Sequence, residues 1–94
     1  MITWDNEKRE KVIRDHRVDF QYVWEVFNDP FAIEIEDLDH STEEEARYIV
    51  IGKTATYGIV SVSYTIVEED YRLITARRAE RWMVREYEKR RKRY

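Results

Sequence analysis

GIVSVSYTIVEEDYRLITARRA, residues 58–79, decides the fold class of this chain. Ile59 to Val67 is rich in β-branched side chains, which fit a pleated, half-buried surface and predict a strand. The acidic run Glu68, Glu69 and Asp70 marks a reversal, and Tyr71 to Ala76 returns as the neighbouring strand. Regular alternation along that return places Leu73, Thr75 and Arg77 on one face and Arg72, Ile74 and Ala76 on the other. The period then changes from two to nearly four. Arg77, Arg81, Arg85, Lys89 and Arg93 recur every four residues, the spacing of a helical ridge, while Ala79, Met83 and Tyr87 form an apolar stripe with Trp82 beside it.

Upstream, Tyr48 to Lys53 reads as a strand that turns through Thr56, Tyr57 and Gly58, and Ala32 to Leu38 alternates Ile33 and Ile35 with Glu34 and Glu36. Asp39 to Glu45 is a polar turn. Ile2, Thr3 and Trp4 favour a short strand, and Asp5 or Asn6 can cap a helix over Glu7 to His16 whose apolar face, Val12 and Ile13, is narrow. Asp19 can cap a second helix in which Phe20, Val23, Trp24 and Phe27 follow i, i+3, i+4, i+7 until Asn28, Asp29 and Pro30 stop it. The expected layout is α+β in one domain over residues 1–94: a short N-terminal strand, two helices, an antiparallel four-stranded meander and a C-terminal helix. Trp24 and Trp82 lie on or beside apolar stripes and are expected in the core, as is a partly buried, structural His16.

The 17 basic and 20 acidic residues are unevenly placed. Residues 77–94 hold nine Lys or Arg against three Glu, or +6, which leaves eight against seventeen, or −9, for residues 1–76. Like charges at i,i+4 cost a helix roughly 0.2–0.5 kcal/mol per pair, so the four pairs of the ridge cost about 1–2 kcal/mol and imply an anionic partner. With no cysteine there is no disulfide framework or thiolate metal site. No apolar run approaches the roughly 20 residues that span a bilayer, and Met1 to Arg17 is too polar for a signal peptide, so a cytoplasmic location and no membrane partner are expected.

Arginine binds phosphate as a planar bidentate donor, so Arg77 close to Thr75 suits an RNA backbone; the competing reading is an ion pair with one of the many upstream acids. His40 follows Asp37 and Asp39, a trio able to hold a divalent cation or simply to make turn hydrogen bonds, with no second histidine at ligand spacing. Gly-rich phosphate loops, Ser/His/Asp arrangements and zinc-finger spacings do not occur.

One set of segments is characteristic in its order: Ile2-Thr3-Trp4-Asp5 with Lys8 and His16, Val26-Phe27-Asn28-Asp29-Pro30, Asp39-His40-Ser41, Arg47-Tyr48 before Ile51-Gly52, Val62 to Thr65, and Arg72 to Ala79. Across nearly the whole chain this resembles the BrnT family of bacterial toxins. The resemblance implies a RelE-like fold and a metal-independent ribonuclease toxin of a type II toxin–antitoxin pair. It also implies neutralisation by a DNA-binding antitoxin of the BrnA kind. No cofactor or metal ligand is implied. Lys8, His40, Arg47, Tyr64 and Arg77 become the candidate catalytic residues, and Arg72, Thr75, Arg78, Arg81 and Arg85 the candidate RNA contacts. Expected partners are RNA, including ribosome-associated mRNA, the antitoxin, and a homodimer or toxin–antitoxin hetero-oligomer. Where the family usually has Asn, Lys and Gly this chain has Val12, Asp15 and Arg17, and where it has Glu-Arg this chain has Met83 and Val84. Those departures support an alternative, an inactive homologue that binds the antitoxin and serves as co-repressor.

Overall fold

A computed structural model describes residues 1–93. Its strands are β1 (Ile2–Thr3), β2 (Ile33–Glu36), β3 (Arg47–Thr54), β4 (Gly58–Val67) and β5 (Asp70–Arg78), and its helices α1 (Asn6–His16) and α2 (Arg81–Lys92). The strands form one mixed sheet in the order β1-β5-β4-β3-β2. β2 to β5 pair antiparallel in series, and β1 adds a fifth strand parallel to β5 through Ile2↔Tyr71 and Thr3↔Arg72. The N-terminal strand therefore joins the sheet rather than standing apart from four others.

Asp5 caps α1 by accepting from the Glu7 amide at 2.7 Å, and Arg17 ends it in the left-handed conformation with its amide on the Ile13 carbonyl. The expected second helix is instead two 3-10 segments, Phe20–Tyr22 and Trp24–Asn28. Buried Phe20, Val23 and Val26 explain the difference: they are spaced by three, the 3-10 repeat, and winding to that period leaves Trp24 45% exposed.

Cross-strand partners share a face of the sheet. Val50, Val60, Val62, Tyr64, Leu73 and Ala76 face α1 and the 3-10 segments, forming the main core with Val12, Val18, Phe20, Val23 and Val26. On the other face Ile51 packs with Met83 and Tyr87 of α2, with Ile33, Ile49, Ile59, Phe31 and Ala79 around them. Regular alternation fails in β5. Ser63 pairs with Thr75 but Tyr64 with Leu73, so Ile74 is an extra, bulged residue. Leu73 and Ala76 consequently share the core face, and Arg72, Thr75 and Arg77 share the opposite one.

β5 also runs to Arg78, so Arg77 belongs to a strand and Arg93 to the C-cap of α2. Of the five-residue ridge only Arg81, Arg85 and Lys89 are helical, which reduces the like-charge pairs within the helix to two. The expected Glu86–Arg90 and Glu88–Lys92 pairs are replaced by Glu86–Lys89 at 3.6 Å and Glu88–Arg91 at 2.8 Å.

Two contacts give local tests. A Cβ on Gly52 would lie 2.9 Å from Val26 Cβ and 3.3 Å from Val26 Cα, so the second 3-10 segment docks on β3 only because position 52 lacks a side chain. Gly52→Ala should destabilise by about 1–3 kcal/mol in urea denaturation, the usual cost of overpacking. Arg9 donates from Nε and Nη2 to the two carboxylate oxygens of Asp19, each at 2.8 Å. Those hydrogen bonds, with the Gln21 amide and the Arg9 charge, hold the Asp19 carboxyl below its ordinary range against the opposing effect of burial. The proton is thus bound more tightly by the unfolded chain, and the stabilisation is present above about pH 4 and lost as pH falls below it. The urea midpoints of wild type and Asp19→Asn should differ at pH 7 and converge in acid.

Candidate nucleic-acid interface

Pairing of β1 stops at Arg72, which leaves the next stretch of the β5 edge to α1. Lys8, Lys11, Val12, Asp15 and His16 fall at i, i+3, i+4, i+7 and i+8, one face of that helix. Together with Ile74 and Thr75 they line a groove of about 220 Å³. The β5 bulge lies at this groove, since Ile74 is its extra residue. Lys11 Nζ is bound to Asp15 Oδ2 at 2.7 Å, and that hydrogen bond holds the Asp15 carboxyl below its ordinary range. Lys8 and His16 are exposed and have no ion-pair or hydrogen-bonding side-chain partner among the described residues. The expected burial of His16 is therefore not met, because Val12 alone anchors α1 in the core. An ammonium, an imidazole and a hydroxyl around one groove can bind an anion and transfer a proton.

On the α2 face the register forms three rungs: Arg47, Thr65 and Arg72; Ile49, Ser63 and Thr75; Ile51, Ser61 and Arg77. Arg72 and Arg77 thus flank Thr75, each about one rung away, and rungs on one face are roughly 7 Å apart. Thr65 Oγ1 donates to the Ala46 carbonyl at 2.8 Å, tying its rung to the preceding loop. Arg47 Nε meets Glu45 Oε1 at 3.0 Å and Arg77 Nη2 meets Glu80 Oε1 at 2.8 Å. Both pairs are open to solvent, where such contacts contribute about 0–1 kcal/mol, so a phosphate can displace either carboxylate. Arg72, Arg81 and Arg85 are exposed and have no partner among the described residues.

Other candidates separate from this group. Tyr64, expected among the catalytic side chains, is 1% exposed and lies in the core, because β4 sends it to the same face as Val60 and Val62. Burial, and then the nearby Glu34 carboxylate, push its phenol above the ordinary range. Arg78 pairs with Val60 and so takes the opposite face from Arg77, its guanidinium 5.1 Å from the centre of the Tyr57 ring. His40 Nδ1 is 2.8 Å from Asp37 Oδ2 in the loop whose Ser41 hydroxyl accepts the Arg47 amide at 2.8 Å. It belongs to the Arg47 end of the sheet, two strands from β5. Among the described residues no group of three or more His, Cys, Asp and Glu side chains is placed to hold a metal ion, so the trio of Asp37, Asp39 and His40 is not assembled.

Residues 4–82 match the family model described as ribonuclease toxin, BrnT, of type II toxin–antitoxin system. The chain belongs to the BrnT family. A crystal structure at 1.1 Å of the Brucella abortus ribonuclease toxin BrnT superposes with a TM-score of 0.65 at 27% identity, covering 85% of this chain and 96% of that one. No curated protein matches this chain. Membership of BrnT identifies the chain as a ribonuclease toxin with an antitoxin partner and RNA as its substrate. No helix among the described residues is long and apolar enough to cross a membrane.

For a BrnT toxin, two features of this interface are illegible in the sequence. His16 sits beside the apolar Val12 and Ile13, and only its i+8 spacing from Lys8 hints that the two share a groove. Trp82 neighbours the Met83 and Tyr87 stripe yet is 44% exposed, because α2 buries a narrow face.

Proposed function

We propose that this BrnT chain is a metal-independent endoribonuclease whose chemistry takes place where the α1–β5 groove meets the outer face of β5. The carrying observation is the juxtaposition of Lys8 and His16 with Thr75, between Arg72 and Arg77. The RNA 2′-hydroxyl attacks the adjacent phosphate, the 5′-oxygen leaves, and a 2′,3′-cyclic phosphate forms. His16 takes the proton of the attacking 2′-hydroxyl, water protonates the departing 5′-oxygen, Lys8 and Arg77 offset the charge developing on the phosphorane oxygens, and Arg72 and Thr75 hold the phosphate. Arg47 and His40 bind the strand further along, and Arg81 and Arg85 extend the cationic field. The toxin acts in the cytoplasm, adopts the RelE-like variant of the α+β fold, and is neutralised by a BrnA-type antitoxin covering the same cations.

The test is cleavage of RNA by purified toxin, freed of antitoxin, with and without ribosomes and with excess chelator. Cleavage that survives chelator and falls in Arg77→Ala and Lys8→Met supports the reading. Tyr64→Phe should cut at close to the wild-type rate, as a core tyrosine has no part in it. An antitoxin-binding co-repressor without activity is the second reading. It is favoured by Arg47, Arg77 and Lys11 each already holding a carboxylate. Uncut RNA and unchecked growth on expression without antitoxin would establish it instead.

A further inference from the structure

Glu80 stands at the N-cap of α2, yet its side chain makes no capping hydrogen bond. Its two oxygens are used elsewhere: Oε1 accepts from Arg77 Nη2 at 2.8 Å, and Oε2 accepts from Trp82 Nε1 at 2.9 Å. One carboxylate thus fixes an indole and a guanidinium relative to each other, and the indole is 44% exposed in a neighbourhood containing Arg77, Arg81 and Arg85. An exposed tryptophan held at its polar edge presents an apolar face to solvent. Across the strand from Arg77, Ser61 is 6% exposed and its hydroxyl has no partner among the described residues, so an acceptor-rich group on Arg77 would find a second donor there.

Resting on the ribonuclease reading, we propose that Trp82 is a base-stacking platform for one nucleotide of single-stranded RNA, with Arg77 on that nucleotide's phosphate. Every base has a π face, so such a platform contributes affinity without choosing sequence. It also selects against duplex RNA, in which the base is stacked within its own strand. The pairing of a planar apolar surface with a phosphate-binding fork, rather than charge alone, fits a nucleotide better than an acidic protein segment.

A protein with Trp4→Phe and Trp24→Phe keeps Trp82 as its sole indole. Titrated with a single-stranded 2′-O-methyl oligonucleotide, which lacks the attacking hydroxyl, its fluorescence should be quenched; the duplex and an abasic oligonucleotide of equal charge should not quench it. The abasic strand should bind about 5- to 150-fold more weakly. Trp82→Ala should lose the same factor for the base-bearing strand and nothing for the abasic one, while Trp82→Phe retains most of the affinity. Equal affinity for the two strands overturns the platform. So does a Trp82 that is silent to oligonucleotide and responds only to antitoxin. If cleavage persists while Trp82 is unresponsive, the platform alone fails; if RNA is neither bound nor cut, the ribonuclease reading fails with it.

Discussion

RNA cleavage by the His16→Ala protein should fall about 10²- to 10⁴-fold, the range for losing a positioned general acid or base. The site predicts this because His16 is the one imidazole lining the α1–β5 groove, exposed two helical turns from Lys8 in a groove that Thr75 also lines. His40, the chain's other histidine, is held by Asp37 at the far end of the sheet. His16→Ala should fold as wild type does, since the imidazole makes no contact that anchors α1, and thermal unfolding monitored by circular dichroism should be nearly unchanged. His40→Ala should lose far less, because His40 is held by Asp37 away from the groove. A wild-type rate for His16→Ala would move proton transfer to another group.

Asp29→Ala should cost about 3–5 kcal/mol of stability, a large share of the roughly 5–15 kcal/mol available to a small domain. Its Oδ1 accepts from the Phe31 amide at 2.9 Å, and its Oδ2 accepts from the Lys53 amide at 2.9 Å and the Tyr87 hydroxyl at 2.7 Å. One carboxylate therefore joins the turn before β2, the end of β3 and the middle of α2. Tyr87 is 2% exposed, so removing its acceptor strands a buried phenol. Burial, and then the Asp29 contact, raise the Tyr87 phenol above its usual range, which keeps it a donor throughout the working pH. Tyr87→Phe should cost only about 1 kcal/mol, since the Asp29 carboxylate keeps the Phe31 and Lys53 amides as donors. The double variant Asp29→Ala/Tyr87→Phe should cost less than the two singles together, a deviation that urea titrations of all four proteins would measure.

Much of the fold was legible because it depends on local periodicity. β-Branched residues and polar turns located β2 to β5, Asp5 of the two candidate residues capped α1, and Met83 and Tyr87 were identifiable as the buried stripe of α2. The spacing of Phe20, Val23, Trp24 and Phe27 fits either helical period in part, and docking on Gly52 selected the tighter one. The bulge at Ile74 was also invisible. Nothing in Leu73-Ile74-Thr75-Ala76 announces an extra residue, and its position depends on pairing with β4.

The order of segments from Trp4 to Ala79 by itself determined the family, and with it the ribonuclease toxin class. Composition and charge determined that the basic residues concentrate at the C-terminal end, because these are properties of the chain alone. Tertiary structure decided which of those residues share a surface. Arg77 left the helical ridge for β5, Arg78 turned to the other face, Tyr64 entered the core, and Lys8 and His16 came to line one groove with Thr75. Those outcomes depend on strand register and on which face each neighbour covers, and both are settled by contacts between residues distant in sequence.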